Sequence, residues 1–417
     1  MPRSFLQALA LIKKCAAPVN RELDGLDETI AGAIETSAGE VLEGKFDDQF
    51  PVDVFQTGSG TSTNMNMNEV IAGRANEILT GKRGGRSPVH PNDHVNRGQS
   101  SNDTVPSALH IAAMQGIFEG LVPALQTLHK ALSDKVSAFA DIKKIGRTHL
   151  QDAVPMTLGD EFSGYARQIA LSIKRVSALE ERLSELALGG TAIGTGLNAA
   201  ECFAEKTISR IAAHAKLPFK EAENHFEAQA ARDAAVEASG ALKTVAVSLA
   251  KIANDIRWLA SGPRCGIGEI RIPAVQPGSS IMPGKVNPVI PESVIQAAAQ
   301  VMGNDTAIAM AGAGGNFEIN VTIPLIARNL LESIDILTAS AAVLAEKCVA
   351  GLEADREACE GYVEKSLSLA ANLIPEIGYD RAAEIAKKAH ETGRTIRETA
   401  RAENVLSEEE LNRRLTY

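Results

Sequence analysis

Aromatic side chains are scarce: one Trp, four Tyr and eleven Phe amount to 4% of 417 residues. A sheet-dominated fold is thereby disfavoured, because aromatic and β-branched residues carry pleated surfaces. The five cysteines (Cys15, Cys202, Cys265, Cys348 and Cys359) include no C-x-x-C pair and are odd in number. That usage excludes a disulfide framework and fits a reducing compartment. Basic residues are outnumbered, 42 Lys and Arg against 52 Asp and Glu, for a net charge of −10. A nucleic-acid partner, which needs a clustered basic face, is therefore not expected. No apolar stretch at the N-terminus resembles a signal peptide, and no apolar run is expected to reach spanning length. No membrane partner is expected, and the compartment is cytoplasmic, or an organelle matrix after loss of a transit segment.

What is abundant is the material of packed helices. Hydrophobic residues make up 45%, with Ala and Leu carrying most of the load, and both suit helices that approach closely. Leu242, Val245, Leu249, Ile252, Ile256 and Leu259 alternate at three- and four-residue steps, the seam of a helix packed on other helices. Leu121, Leu125, Leu128, Leu132, Val136 and Phe139 repeat the pattern, as do Leu330, Ile334, Leu337, Ala341 and Leu344. Such stretches exceed the globular mean of roughly 11–12 residues per helix, which points to a long-helix bundle shared between subunits. The fold class expected is all-α. Three regions follow: residues 1–99, with short helices and Gly-rich turns; 100–356, with the long helices; and 357–417, a small helical tail with Ile385, Ala389 and Ile396 as its seam.

Segments that break the helical pattern are where chemistry is sought. Ser261 to Pro288 holds five glycines and five prolines, and loops this long are uncommon unless functional. Its GSSIMPGK core is not a P-loop: the glycine spacing is wrong and Val286 follows Lys285. What remains is a pair of hydroxyls, Ser279 and Ser280, with Lys285 and Asn287 close behind. In TGSGTSTNMNMN, from Thr57, Ser59, Gly60 and Thr61 precede a helix start, a natural carboxylate site, and Asn64 and Asn68 share a helix face. In HPNDHVNRGQSSND, from His90, Ser100, Ser101, Asn102 and Asp103 read as an N-cap cluster just before Pro106 and the next helix. Capping and anion binding use the same orphan N–H groups, so neither excludes the other. His90, Asp93 and His94 do not suggest a metal site, because Pro91 and a short non-helical run oppose a preformed ligand face. GRTHLQD, from Gly146, lies between long helices and carries His149. Gly189 to Gly196 is read as an inter-helix loop.

Taken together these segments resemble one family. GSSIMPGKVNP, TGSGTSTNMNMNEV, HPNDHVN with QSSND, GRTHLQDAVPMTLG and GPRCGIGEI stand in the order found in class II fumarases of the fumarase/aspartase superfamily, and the resemblance spans essentially the whole chain. Set against that family, the N-terminal segment its members carry is expected to be missing here. The resemblance implies a three-domain subunit and a homotetramer with a twenty-helix core, active sites shared among three subunits, and reversible hydration of fumarate to L-malate without cofactor or metal. It further implies Ser279 as catalytic base and His149 paired with Glu292. The carboxylate cradle would comprise Ser59, Thr61, Ser100, Ser101, Asn102, Thr148, Lys285 and Asn287, with Gly60, Ser280 and Val286 beside them. His90, Pro91, Asn92 and Asp93 match a second dicarboxylate site, although Ser87 stands where an arginine is common, with Arg86 adjacent.

The chemistry suits these residues. Removing a proton beside a carboxylate builds negative charge that Lys285 and helix N-terminal N–H groups can meet. A serine must be acidified to serve as base. Aspartate ammonia-lyase is the nearest rival; His149 in GRTHLQD and Gly284 in MPGK favour the hydratase, whereas GTSTNMN and DAVPMTLG lean the other way. A catalytically silent structural homologue would show gaps among the catalytic residues, and none is seen.

Overall fold

The structure, a computed structural model, describes residues 1–415. Helices dominate it: α1 (Arg3–Asp24), α2 (Glu28–Leu42), α3 (Thr61–Thr80), α4 (Ser101–Gln115), α5 (Val122–Ala138) and α6 (Leu158–Ser177), followed by long helices over Asp233–Leu259, Val289–Gly312 and Ile323–Leu344. The all-α reading holds. The one substantial exception among the described residues is an antiparallel hairpin of β1 (Lys143–Thr148) and β2 (Gln151–Thr157); the other strands are two residues each.

The seams read from the sequence form the core. Leu242, Val245, Leu249, Ile252, Ile256 and Leu259 are all buried, as are Leu330, Ile334, Leu337, Ala341 and Leu344. The third seam buries every member except Val136, which is half-buried. Each Leu or Ile so placed contributes about 1.5–3 kcal/mol over leaving it in water, so packing rather than helix propensity holds these helices.

A π-helical turn at Gly116–Leu121 joins α4 to α5. A side chain at Gly116 would come within 2.9 Å of Ile334 Cγ2, so the crossing needs glycine there. The join corrects one expectation: Ser101–Ala138 is a continuous 38-residue helical run, long and apolar enough to cross a membrane by length and composition. More than half of its apolar window, 56%, is buried inside the protein, as in a core helix. Gly116 and Gly120 interrupt its apolar residues, so the sequence does not show them as one run.

The chain divides into two compact units. The first gathers Met1–Leu125, Ser172–Val247 and Gln296–Ser340; the second gathers Gln126–Leu171, Ser248–Ile295 and the chain from Ala341 onward. Within the first, α1 packs against α2, α4 and the Phe203–Ala215 helix, and α2 packs against α3. Phe5, Leu9, Ile12 and Val19 of α1 are fully buried there. Within the second, the hairpin packs against the Arg356–Lys365 helix, and Val363, Leu369, Leu373, Ile385, Ala389, Ile396, Leu411 and Leu415 form a local core.

Candidate active site

In the first unit, two helix starts bring hydroxyls together. Gly60 caps α3 in the left-handed region (φ 76°), and a Cβ there would lie 2.8 Å from Val105 Cγ1, so only glycine serves. The Ser59 and Thr61 hydroxyls share a hydrogen bond of 2.8 Å, and Thr61 shares another of 2.8 Å with Ser101. Ser59, Gly60, Thr61 and Ser101 are thus one polar surface, with Thr61 and Ser101 opening α3 and α4. The Ser100 hydroxyl accepts from Asn102 N–H at 3.2 Å, as a cap. Asn102 Nδ2 donates to the Ala192 carbonyl at 2.7 Å. Asn64 and Asn68 share a face, as their spacing requires, and both donate to Asn96 Oδ1, at 3.1 and 3.2 Å.

In the second unit, His149 lies where the sequence suggested only an inter-helix link. Thr148 pairs with Gln151, leaving His149 and Leu150 as a two-residue turn with φ of 57° and 61°. Both central residues in the left-handed region is the primed turn favoured by hairpins, although Asn and Gly usually supply it. Strain of this kind in non-glycine residues persists where the surroundings enforce it, and it clusters at active sites. His149 is exposed and has no hydrogen-bond partner among the described residues. The anchor lies along β1. Fully buried Glu269, from GPRCGIGEI, faces Lys144 at 3.4 Å and Arg147 at 2.9 Å. These contacts are ionic and lack hydrogen-bond alignment at Arg147 Nη1 and both Glu269 oxygens. Lys144 also donates to Glu161 at 2.8 Å, and Arg147 stacks 5.5 Å from the Tyr362 ring centroid.

The loop from Gly278 to Pro288 closes on itself. Asn287 Nδ2 donates to the Gly278 carbonyl at 2.6 Å, and a Cβ on Gly278 would sit 2.0 Å from the Lys285 carbonyl. Ser279 Oγ accepts from the N–H groups of Ile281 and Met282, at 3.1 and 3.0 Å. Ser280, Lys285 and Val286 are exposed. Glu292 sits in the first turn of the Val289–Gly312 helix.

His90, Pro91, Asn92 and Asp93 form one compact turn, π-helical rather than non-helical. His90 Nδ1 accepts from Asn92 and Asp93 N–H at 3.2 and 3.1 Å, which requires that nitrogen unprotonated. Arg86, the residue beside Ser87, lies 3.8 Å from Glu69. Among the described residues no three His, Cys, Asp or Glu side chains converge as metal ligands. A cavity of about 240 Å³ in the first unit, walled by His110, Arg182, Glu185 and Arg232, includes none of the residues above.

The lyase family profile matches residues 3–303, and the fumarase C C-terminal profile matches 369–417. The class II fumarate hydratase of Nitrosomonas europaea is 56% identical over 96% of this chain and 87% of its own length. The mitochondrial fumarate hydratase of Danio rerio is 54% identical over 98% of the chain and 80% of its own. The crystal structure of class II fumarase from Schistosoma mansoni superposes with a TM-score of 0.95 at 41% identity, covering 100% of this chain and 90% of that one. The chain belongs to the lyase family, among the class II fumarate hydratases.

Sequence reasoning missed the members that brace these surfaces. Lys13 is fully buried and donates to Asn96 Oδ1 at 2.8 Å. Asp103, read from the sequence only as part of a cap cluster, is fully buried as well, and its bonds to Gly189 and Thr191 were not foreseen. A lysine inside the apolar run of α1 was the available signal for the first. The second had none, because an aspartate three residues after a serine reads as an ordinary capping box. Glu269 lies in GPRCGIGEI, where nothing local marks it as an anchor.

Proposed function

We propose that this lyase hydrates fumarate reversibly to L-malate through its own side chains, without cofactor or resident metal, as a step of the tricarboxylic acid cycle. The observation that carries the reading is Ser279 Oγ, which accepts two backbone N–H groups. Donors aimed at a hydroxyl oxygen stabilise its alkoxide and lower the cost of removing its proton. Ser279 then takes the proton from the carbon beside a malate carboxylate. That carboxylate gains a second negative charge, which Lys285 and Asn287 meet. The hydroxyl leaves from the neighbouring carbon as water, protonated by His149, whose imidazolium Glu292 stabilises. Hydration is the reverse: water adds as His149 takes its proton, and Ser279 returns one to the other carbon.

The other substrate carboxylate is held by Ser59, Gly60, Thr61, Ser100, Ser101, Asn102 and Thr148, with Ser280 and Val286 beside the reacting loop. His90 to Asp93 forms a peripheral dicarboxylate site, with the free His90 nitrogen as donor. The working form is a homotetramer in the cytoplasm whose sites combine residues of different subunits. Sedimentation velocity reads the tetramer directly, and a fully active monomer would contradict site sharing.

The reaction is tested by following fumarate absorbance in plain buffer with excess chelator. Malate should form without ammonium, and L-aspartate should release no ammonia. A requirement for ammonium, or recovery only on adding a divalent ion, overturns the reading.

A further inference from the structure

We propose that Asp103 is a positioning residue for this reaction: it clamps the N-terminal turn of α4 to the Gly189–Ala192 loop and thereby orients the Asn102 amide. The inference rests on the reading of Ser100–Asn102 as part of the carboxylate cradle.

A capping box needs one bond from Asp103, and Ser100 N–H supplies it at 2.9 Å to Oδ1. The second oxygen has a different task. Oδ2 accepts from Gly189 N–H and Thr191 N–H, each at 3.0 Å, from a segment more than eighty residues further along. The next residue of that segment, Ala192, provides the carbonyl that receives Asn102 Nδ2 at 2.7 Å. Asp103 therefore fixes the loop, and the loop fixes the amide.

The loop does not hold this shape on local preference. Thr191 lies in the left-handed region at φ 55°, and Gly189 stands at 100°. A non-glycine residue there costs of order 1–3 kcal/mol unless its surroundings enforce it. Two groups enforce it: Asp103, and Gln229, whose Nε2 donates to the Thr191 carbonyl at 2.8 Å.

Burying a carboxylate completely costs several kcal/mol before compensation. Three backbone donors and the positive end of α4 offset that cost, as does the buried ammonium of Lys13. Burial raises the Asp103 pKa and lowers that of Lys13, each opposed by the other's charge. A buried charge that only capped a helix would be replaceable by a neutral cap; one that joins two segments is not.

Asp103→Asn keeps the shape and the Oδ1 acceptor but turns an N–H₂ toward two N–H donors. KM for fumarate should rise about tenfold with kcat within about threefold, since a group that orients ground-state and transition-state contacts alike changes binding uniformly. Asn102→Ala should raise KM by a similar factor. The double variant should be no worse than Asn102→Ala alone, because both act through one amide. As a control, Asp305→Asn removes another buried carboxylate, bonded to Ser239 at 2.8 Å and to Lys243 at 2.6 Å; it should lower Tm and leave KM unchanged. If Asp103→Asn does not fold, Gln229→Leu loosens the same loop and should raise KM about threefold. An unchanged KM in Asp103→Asn, or effects that multiply in the double variant, overturns the positioning role. An Asn102→Ala protein with normal KM instead overturns the cradle reading beneath it.

Discussion

The α4 N-terminus and the Gly278–Pro288 loop both present hydroxyls and amides, yet they are held in opposite ways. The first is braced by polar contacts to distant parts of the sequence: Asn102 to Ala192, Thr61 to Ser101, and the buried Asp103 to Gly189 and Thr191. In the second, Ser279 bonds to Ile281 and Met282 and Asn287 to Gly278, all within the loop. Ile281 is 85% exposed and Met282 52%. Groups that bind gain by being pre-organised. A reacting group can instead sit on a segment whose ordering is completed when substrate arrives. The difference predicts that damage to the two regions will be felt in different kinetic constants.

Lys285 should show the largest effect. Replacing it with Met removes the positive charge assigned to the developing dianion, so kcat/KM should fall on the order of a thousandfold, the scale for losing one main electrostatic donor. Because Lys285 is exposed, Tm should hardly move. A variant that unfolds, or one losing less than tenfold, would make the loop structural rather than reactive.

The braced side should instead register in stability. His110, on α4, meets the Glu185 carbonyl at 2.8 Å through Nδ1. Burial lowers its pKa to about 4, with Arg232 adding to the fall. The folded protein therefore binds fewer protons than the unfolded chain between pH 6.5 and about 4. Stability is full above that window and lost as pH falls through it. Asp103 works in the other direction, its raised pKa favouring the fold at low pH, so wild type must be compared with His110→Gln. Wild type should lose roughly 2 kcal/mol more than the variant between pH 7 and 4, after allowing for partial exposure of the ring. Parallel pH curves would show that His110 is not held neutral by the fold.

Much of this contrast was legible in the sequence, and unevenly so. The helix seams were readable because a three-and-four spacing leaves few alternatives once burial is required. The loop was readable because five glycines and five prolines cannot continue a helix. The hairpin was not, since its turn residues, His149 and Leu150, are poor formers of the two-residue, positive-φ turn that the strand register leaves to them. The bracing of α4 was also hidden: Asp103 and Gly189 are far apart in sequence, and nothing local marks their meeting. Sequence periodicity reports which face is buried, but not which buried polar groups find each other.

The division between a braced binding surface and a reacting loop is tested most directly by steady-state kinetics on two neighbouring serines. Ser279→Ala should lower kcat on the order of a hundredfold or more with little change in KM, because a proton-transfer group acts chiefly in the transition state. Ser280→Ala, an exposed hydroxyl one residue away, should leave kcat within about threefold. Near-normal turnover in Ser279→Ala, or a larger loss in Ser280→Ala, would contradict the account and move the base off Ser279.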